Sequence, residues 1–430
     1  MPNRALRAAE VLAAFLLAMG RFQSSPGAEA AEPAATAVNS LGIELLKKTS
    51  RPEANALLSP YSVQSAFAMA YAGADGITRE EMAKVLHYPK DEAALHRSFA
   101  ALRKTLEEAM RRSAEYSERM RQYSATNDPL VLTVANRLFG QSGYQFRQSF
   151  LSLLNDTYAA PFEALDFRKG PALAARHINA WVEDQTRQRI RNLVAEAALS
   201  QLTRLVLVNA VYLKAPWREP FEASATKPGP FFVYGSKSVD VPMMNQRHEL
   251  QVAQGDGFVA VVLPLAHPLQ FLIFLPANQD GLAQLEKHLS PDMLAGKLKW
   301  ETRDVTLFLP RFKLEPPVLS LTSALQALGM KTAFDIPTGS ANFDRMAPRR
   351  LDDYLAISDA FHKTFLNLDE KGIEAAAATA IMMVAAGIHE PRKPVEVRVD
   401  HPFLFAIVMR SGFDGSGATC LFLGHVTDPR

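Results

Sequence analysis

The chain has 430 residues, of which 48% are hydrophobic and 21% charged, with a formal net charge of +2. Those proportions fit a folded protein with a sizeable core and exclude a disordered chain, and the near-neutral balance gives no global pull toward nucleic acid or an anionic membrane. A single cysteine, Cys420, excludes internal disulfides, so stability has to come from the core.

At the N-terminus, Arg4 and Arg7 precede the apolar run Val11 to Met19, and a polar stretch ends in Ala28-Glu29-Ala30. This reads as a secretory signal with cleavage before Ala31, the run being too short to span a bilayer. The expected division is a signal over 1–30 and one domain over 31–430, secreted to the exterior or a periplasm, because no linker or repeat interrupts the chain after residue 40. Helical spacing follows around Leu41–Lys48, Ser62–Tyr71, Ala93–Met110, Gln148–Leu154 and Leu173–Arg187. Strand-like runs come next at Leu205–Leu213, Phe258–Leu263 and Phe271–Leu275, then a helix at Leu282–His288, a strand at Val305–Leu309 and a helix at Leu319–Leu328. Four further strand-like runs, Phe361–Leu368, Val395–Val399, Phe403–Met409 and Cys420–Leu423, close the chain. Helices and strands are segregated, which predicts an α+β fold with large antiparallel or mixed sheets.

Several chemistries find no support. The ten histidines lack His-x-x-x-His spacing and there is no second cysteine or Asp-rich loop, so no metal site is expected. No phosphate loop is present, and Gly255-Asp256-Gly257 lacks the third glycine of a dinucleotide fingerprint, so no cofactor is indicated. Gly412 to Gly417, containing Ser416, reads as a hairpin turn between two strands, and a hydrolase built on Ser416 ranks last. Arg103, Lys104, Arg111, Arg112, Arg119 and Arg121 interleave with Glu107, Glu108, Glu115 and Glu118, as on a solvated helix with i, i+4 pairs. Cys420, in an apolar run, reads as a small core residue, and Asn155-Asp156-Thr157 matches a glycosylation acceptor.

The segment from Glu370 to Gly387 is the most informative. As a strand it would place Ile373, Ala375, Ala377, Thr379, Ile381, Met383 and Ala385 on one uncharged face, with Glu374 on the other. Yet Gly372, the alanine run and the breakers Gly387, Pro391 and Pro394 suit an exposed loop. Two conformations, loop and central strand, are open to it.

The pattern Glu370-Lys371-Gly372-Ile373-Glu374-Ala375-Ala376-Ala377-Ala378-Thr379-Ala380 resembles the reactive-centre-loop hinge of the serpins. The likeness extends in order through Asn55 to Val63, Val134 to Phe139, Ile178 to Val182, Leu207 to Lys214, Leu309 to Phe312, Ala360 to Lys363, His401 to Phe405 and Leu421 to Gly424. It implies a single domain of several helices packed on three β-sheets with an exposed reactive-centre loop at about 370–394. It also implies a monomer that is not an enzyme but an irreversible suicide substrate, forming a covalent acyl complex with a target serine protease, or by extension a cysteine protease. Glu370, Lys371, Gly372, Ile373, Glu374, Ala375, Ala376, Ala377 and Ala378 would be the hinge. Family spacing sets the reactive bond between Ala386 and Gly387, and small residues there point to elastase-like or subtilisin-like targets. Met383, and Arg392 or Lys393, are the alternatives, for chymotrypsin-like and trypsin-like targets. Ser59, Ser62, Asn209 and His362 match a polar cluster beneath the sheet that must open, and Trp217 the tryptophan at the loop's entry point; in any fold such groups also need one another as buried partners. Three departures stand out: Ile373 where the family usually has Thr or Ser, Gln188 where it has glycine, and Leu265 where it often has tyrosine. The rival expectation is a non-inhibitory serpin acting as a binding or carrier protein.

Overall fold

The computed structural model describes residues 26–121, 128–233, 237–350, 353–374, 394–410 and 417–430. In chain order its elements are α1 (Pro26–Thr49), β1 (Ala56–Leu58), α2 (Pro60–Gly73), α3 (Gly76–Val85), α4 (Glu92–Arg121), β2 (Val131–Gln141), α5 (Gln148–Tyr158), β3 (Glu163–Leu165) and α6 (Pro171–Gln185). Then come β4 (Leu205–Pro216), β5 (Lys227–Val233), β6 (Lys237–Gly255), β7 (Phe258–Pro264), β8 (Leu269–Pro276), α7 (Leu282–His288), α8 (Pro291–Leu294), β9 (Glu301–Pro310), β10 (Phe312–Leu314) and β11 (Leu319–Ser320). The chain ends with α9 (Thr322–Leu328), β12 (Ile357–Thr364), β13 (Leu366–Asp369), β14 (Gly372–Ile373), β15 (Val395–Arg398), β16 (Phe403–Arg410) and β17 (Ala418–Val426).

Helix α2 shows how local chemistry sets the core. Ser59 is its N-cap, accepting the Ser62 N–H at 3.3 Å, and Pro60 takes the first turn, where a missing N–H costs nothing. The helix that follows is buried on every side except Ser65, as a helix apolar all round must be. α4 is the opposite case: Leu95, Phe99, Leu102 and Leu106 face the core at helical spacing while its arginines and glutamates face solvent.

Hydrogen bonding groups the strands into two sheets rather than the three expected. One runs β1-β17-β16-β8-β7-β6-β9-β15, with β5 also on β6; the other runs β10-β13-β14-β4-β12-β11, with β2 on β4 and β3 on β2. The physical reason lies in β6. Its start pairs with β5, its middle with β9 and its end with β7, so one 19-residue strand joins β5, β9 and β7 into a single sheet.

Two expected elements are subdivided. The run Phe361–Leu368 breaks at Phe365, because β12 pairs with β4 whereas β13 pairs with β10 and β14. The helix expected from Leu319 begins at Thr322, Leu319 and Ser320 being drawn into β11 against Phe361 and His362. The expected cleavage point before Ala31 falls within α1, whose Ala31, Ala34 and Ala37 pack into the core.

Candidate functional site

The centre of the second sheet is a closed seam. β4 and β12 lie parallel and directly paired, from Leu205 opposite Ile357 to Val211 opposite Thr364. Beyond the end of β12, the short β14 enters antiparallel between β4 and β13: Gly372 lies opposite Pro216 and Asp369, and Ile373 opposite Ala215 and Leu368. The hinge has thus begun an antiparallel strand at the mouth of the seam.

Each hinge residue is held for a physical reason. Gly372 has φ +137°, and a Cβ there would come within 2.4 Å of the Ala215 carbonyl oxygen, so only glycine fits. Ile373 is fully buried in the seat. The Trp217 amide donates to the Lys371 carbonyl at 2.9 Å and its indole Nε1–H to the Asp369 carbonyl at 2.9 Å, while the Phe221 amide donates to the Glu370 carbonyl at 2.8 Å. The Glu370 carboxylate is buried against Arg311, whose Nε donates at 2.6 Å, and the Thr226 hydroxyl, which donates at 2.5 Å. Burial opposes its ionisation, but these donors win and hold it below the usual carboxylate range. Glu374 turns away at φ +48°, its amide donating to the Asn367 carbonyl at 2.8 Å and its carboxylate pairing with Arg189 at 2.5 Å. There burial prevails over Arg189 and Tyr212, and the Glu374 carboxyl is pushed up.

Beneath the seam, Ser59, Ser62, Asn209 and His362 meet in one buried network. The Ser59 amide donates to His362 Nε2 at 3.0 Å, which leaves Nδ1 to carry the proton and donate it to Asn209 Oδ1. Asn209 Nδ2 donates to Ser62 Oγ and Asn136 Oδ1, both at 2.6 Å, and Ser59 Oγ donates to the Leu421 carbonyl at 2.6 Å. Burial drives His362 down to about 3, so the ring is neutral. Asn209 and His362 face each other across the β4–β12 seam, and Asn136 faces Asn209 from β2. The network therefore spans the strands that must separate for anything to enter between them.

Asn136, Arg189, Arg311 and Thr226 are not identified from sequence. Asn136 is the one with a signal: an amide buried between Ala135 and the apolar residues of its strand needs partners. The arginines contact the hinge from remote segments. Ala375 to Ala378, the expected bond Ala386–Gly387, Met383, Arg392, Lys393 and Ser416 lie outside the described residues. Trp217 bridges to Leu265, which is buried, and Gln188 takes φ +65°, the left-handed geometry that makes glycine the easier choice there. Cys420 is buried and its thiol pushed up by desolvation, so it is an inert core residue. On α4, Arg103 pairs with Glu107, Arg111 with Glu115 and Arg112 with Glu108, the i, i+4 lacing expected. Among the described residues no cluster of three or more His, Cys, Asp or Glu could hold a metal, and no helix is long and apolar enough to cross a membrane.

The family model Serpin (serine protease inhibitor) matches residues 36–429. An uncharacterized serpin-like protein of Thermococcus kodakarensis is 36% identical over 403 residues, covering 93% of this chain and 86% of that protein. The leukocyte elastase inhibitor of Bos taurus is 34% identical over 389 residues, 88% of this chain and 94% of the relative. Among solved structures, Serpin48 of the insect Tenebrio molitor, described as a highly specific serpin, superposes with a TM-score of 0.73 at 29% identity, covering 96% of this chain and all of that one.

Proposed function

Because this chain belongs to the serpin family, we propose that it is an irreversible suicide-substrate inhibitor of serine proteases, with elastase-like or subtilisin-like targets. The observation that carries the reading is the seat of Gly372 and Ile373: two hinge residues paired antiparallel with β4 and β13, at the mouth of a closed β4–β12 seam. Extended along β14, the segment would run between β4 and β12, and Ile373 with the uncharged positions 375, 377, 379, 381, 383 and 385 presents nothing that a sheet interior would reject.

The protease serine Oγ attacks the carbonyl carbon of Ala386, an ester forms, and the amine of Gly387 leaves. Freed at that end, the segment after Glu374 zips between β4 and β12, exchanging one parallel pairing for two antiparallel ones. About 15 inserted residues span about 50 Å, which carries the acylated protease across the length of the sheet. Strain on its active site then stalls deacylation, while the Ser59, Ser62, Asn136, Asn209 and His362 network re-pairs around the opened seam. Small Ala386 suits a shallow apolar pocket, and a leukocyte elastase inhibitor among the relatives supports that target class. The chain is proposed to act as a secreted monomer without cofactor.

Incubation with pancreatic elastase, subtilisin, chymotrypsin and trypsin, read by denaturing gel and intact mass, tests the proposal. The expected result is a denaturant-resistant complex with elastase or subtilisin and a released peptide beginning at Gly387. Capture of trypsin alone overturns the target class. Clean cleavage without a complex overturns inhibition and leaves a binding or carrier role.

A further inference from the structure

Of the six large hydrophobic side chains exposed among the described residues, four gather at one end of the molecule: Leu202 (80%), Leu173 (66%), Ile77 (65%) and Ile336 (46%). Leu202 lies in the turn that enters β4, whose other end meets the hinge at Pro216; at about 3.3 Å per residue these ends are about 35 Å apart. Hydrogen bonds tie the other three to the same end. Arg204, two residues after Leu202, donates from Nε to Asp353 Oδ1 at 3.0 Å, and Arg168, just before α6 and its Leu173, donates to Asp353 Oδ2 at 2.5 Å. Tyr354, the next residue, donates its hydroxyl at 2.9 Å to Asp335, the neighbour of Ile336. Ile77 is flanked by Thr78, whose Oγ1 accepts the Asn342 amide at 3.0 Å, and the Asn342 segment is held in turn by the Ala341 amide, which donates to Asp335 at 3.1 Å.

The charges at this end are sorted by depth. Asp353 is half-buried and taken up by Arg168, Arg204 and the Tyr144 hydroxyl, and Asp335 by Tyr354 and the Gly339 and Ala341 amides. Arg147, Arg349 and Arg350 are exposed. Arg147 donates to the Asp344 carbonyl at 2.7 Å and Arg349 to the Gly339 and Ala341 carbonyls at 2.8 and 2.9 Å, but among the described residues no carboxylate pairs with either or with Arg350. Against these three stands Asp75, exposed near Ile77. Aliphatic side chains on four separate turns do not form one pocket for a rigid partner. A bilayer interface yields around each of them and surrounds them with phosphates, which guanidinium groups suit. The chain as a whole is nearly neutral, so the attraction is local to this end.

We propose that the end of the molecule opposite the hinge docks on anionic phospholipid bilayers, with Leu173, Leu202, Ile336 and Ile77 entering the interfacial layer and Arg147, Arg349 and Arg350 on headgroup phosphates. Docked this way, the chain holds its hinge away from the surface, toward the solvent from which a protease arrives. That consequence rests on the inhibitory reading; the docking does not.

The test is cosedimentation of the full chain with vesicles of phosphatidylcholine alone, or of phosphatidylcholine and phosphatidylglycerol in equal parts, at low and high salt. Binding is expected to the phosphatidylglycerol vesicles, with loss at high salt and on phosphatidylcholine alone. The exposed double variants L173Q/L202Q and R147Q/R350Q should each weaken it about tenfold with unchanged thermal unfolding. Tyr116→Ser, which removes an exposed ring from α4, should change nothing. Absence of cosedimentation overturns the proposal, as does equal binding by the parent and L173Q/L202Q or equal weakening by Tyr116→Ser. Binding that survives R147Q/R350Q and high salt overturns the role of the arginines. Vesicle binding by a chain that never forms a protease complex sinks only the inhibitory reading, whereas complexes without vesicle binding sink only this one.

Discussion

His362 makes the closed seam sensitive to acid. Its Nε2 accepts the Ser59 amide and its Nδ1–H is directed at Asn209, so a proton added to Nε2 would oppose a donor to a donor in a site closed to water. The folded ring titrates at about 3 against an ordinary 6.5. The unfolded chain therefore binds the proton first, and the stability contributed by neutral His362 is complete above 6.5 and is lost as pH falls below it. A pH of 5 lies about 1.5 units below the ordinary value that the unfolded ring keeps, which at about 1.36 kcal/mol per unit costs ~2 kcal/mol relative to pH 7. Guanidinium unfolding of the native protein at pH 7, 6 and 5, followed by tryptophan fluorescence, reads the loss in the first transition. His362→Gln lowers stability at pH 7 by about 1–3 kcal/mol through broken hydrogen bonds, and it should lose ~2 kcal/mol less than the parent between pH 7 and 5. Equal acid losses in parent and variant would refute the reasoning, as would an NMR titration of the His362 ring near 6.5.

Gly372→Ala drives a methyl group into the Ala215 carbonyl and should unseat the hinge by about 2 kcal/mol, so the exchange protection of the Glu374 amide, now bonded to Asn367, falls some 30-fold; unchanged protection would defeat the seat. Arg311→Met leaves the buried Glu370 carboxylate with only Thr226 and should cost about 2 kcal/mol at pH 7, with R311M/E370Q recovering most of it. Because Glu370 is held below its ordinary 4.5, its ion pair stabilises above that value and is lost as pH falls through the lower folded one; thermal unfolding of R311M should lack this acid loss. Ile373→Glu places a charge where the side chain is fully buried, so against elastase it should divert the reaction from complex to cleaved chain by on the order of 100-fold, while Ile373→Thr should not; equal stoichiometries of inhibition would contradict the burial of this position.

The strands of the seam are legible because every residue from Leu205 to Leu213 is apolar or buried with a partner, and continuous apolar runs of that length mark central strands. The break at Phe365 is not legible, since the residues on both sides have the same strand character and only their different neighbours separate them. β6 is opaque for a similar reason: Pro242, His248 and several polar residues interrupt its alternation, and pairing with three neighbours supplies what its own pattern lacks. At the site, the glycine at 372 announces a special backbone and the polar cluster announces a network, but Arg189 and Arg311 reach the hinge across large sequence separations that no local spacing encodes. Ile373 shows where the two kinds of reasoning meet. In sequence it departs from the small polar residue usual beside the hinge glycine and threatens to slow insertion by overpacking. In the structure it is already buried between Ala215 and Leu368, where its apolar surface contributes about 1–2 kcal/mol that a threonine would not match. The same side chain thus anchors β14 at the mouth of the seam, and on the proposed mechanism insertion would start with its first pair already made.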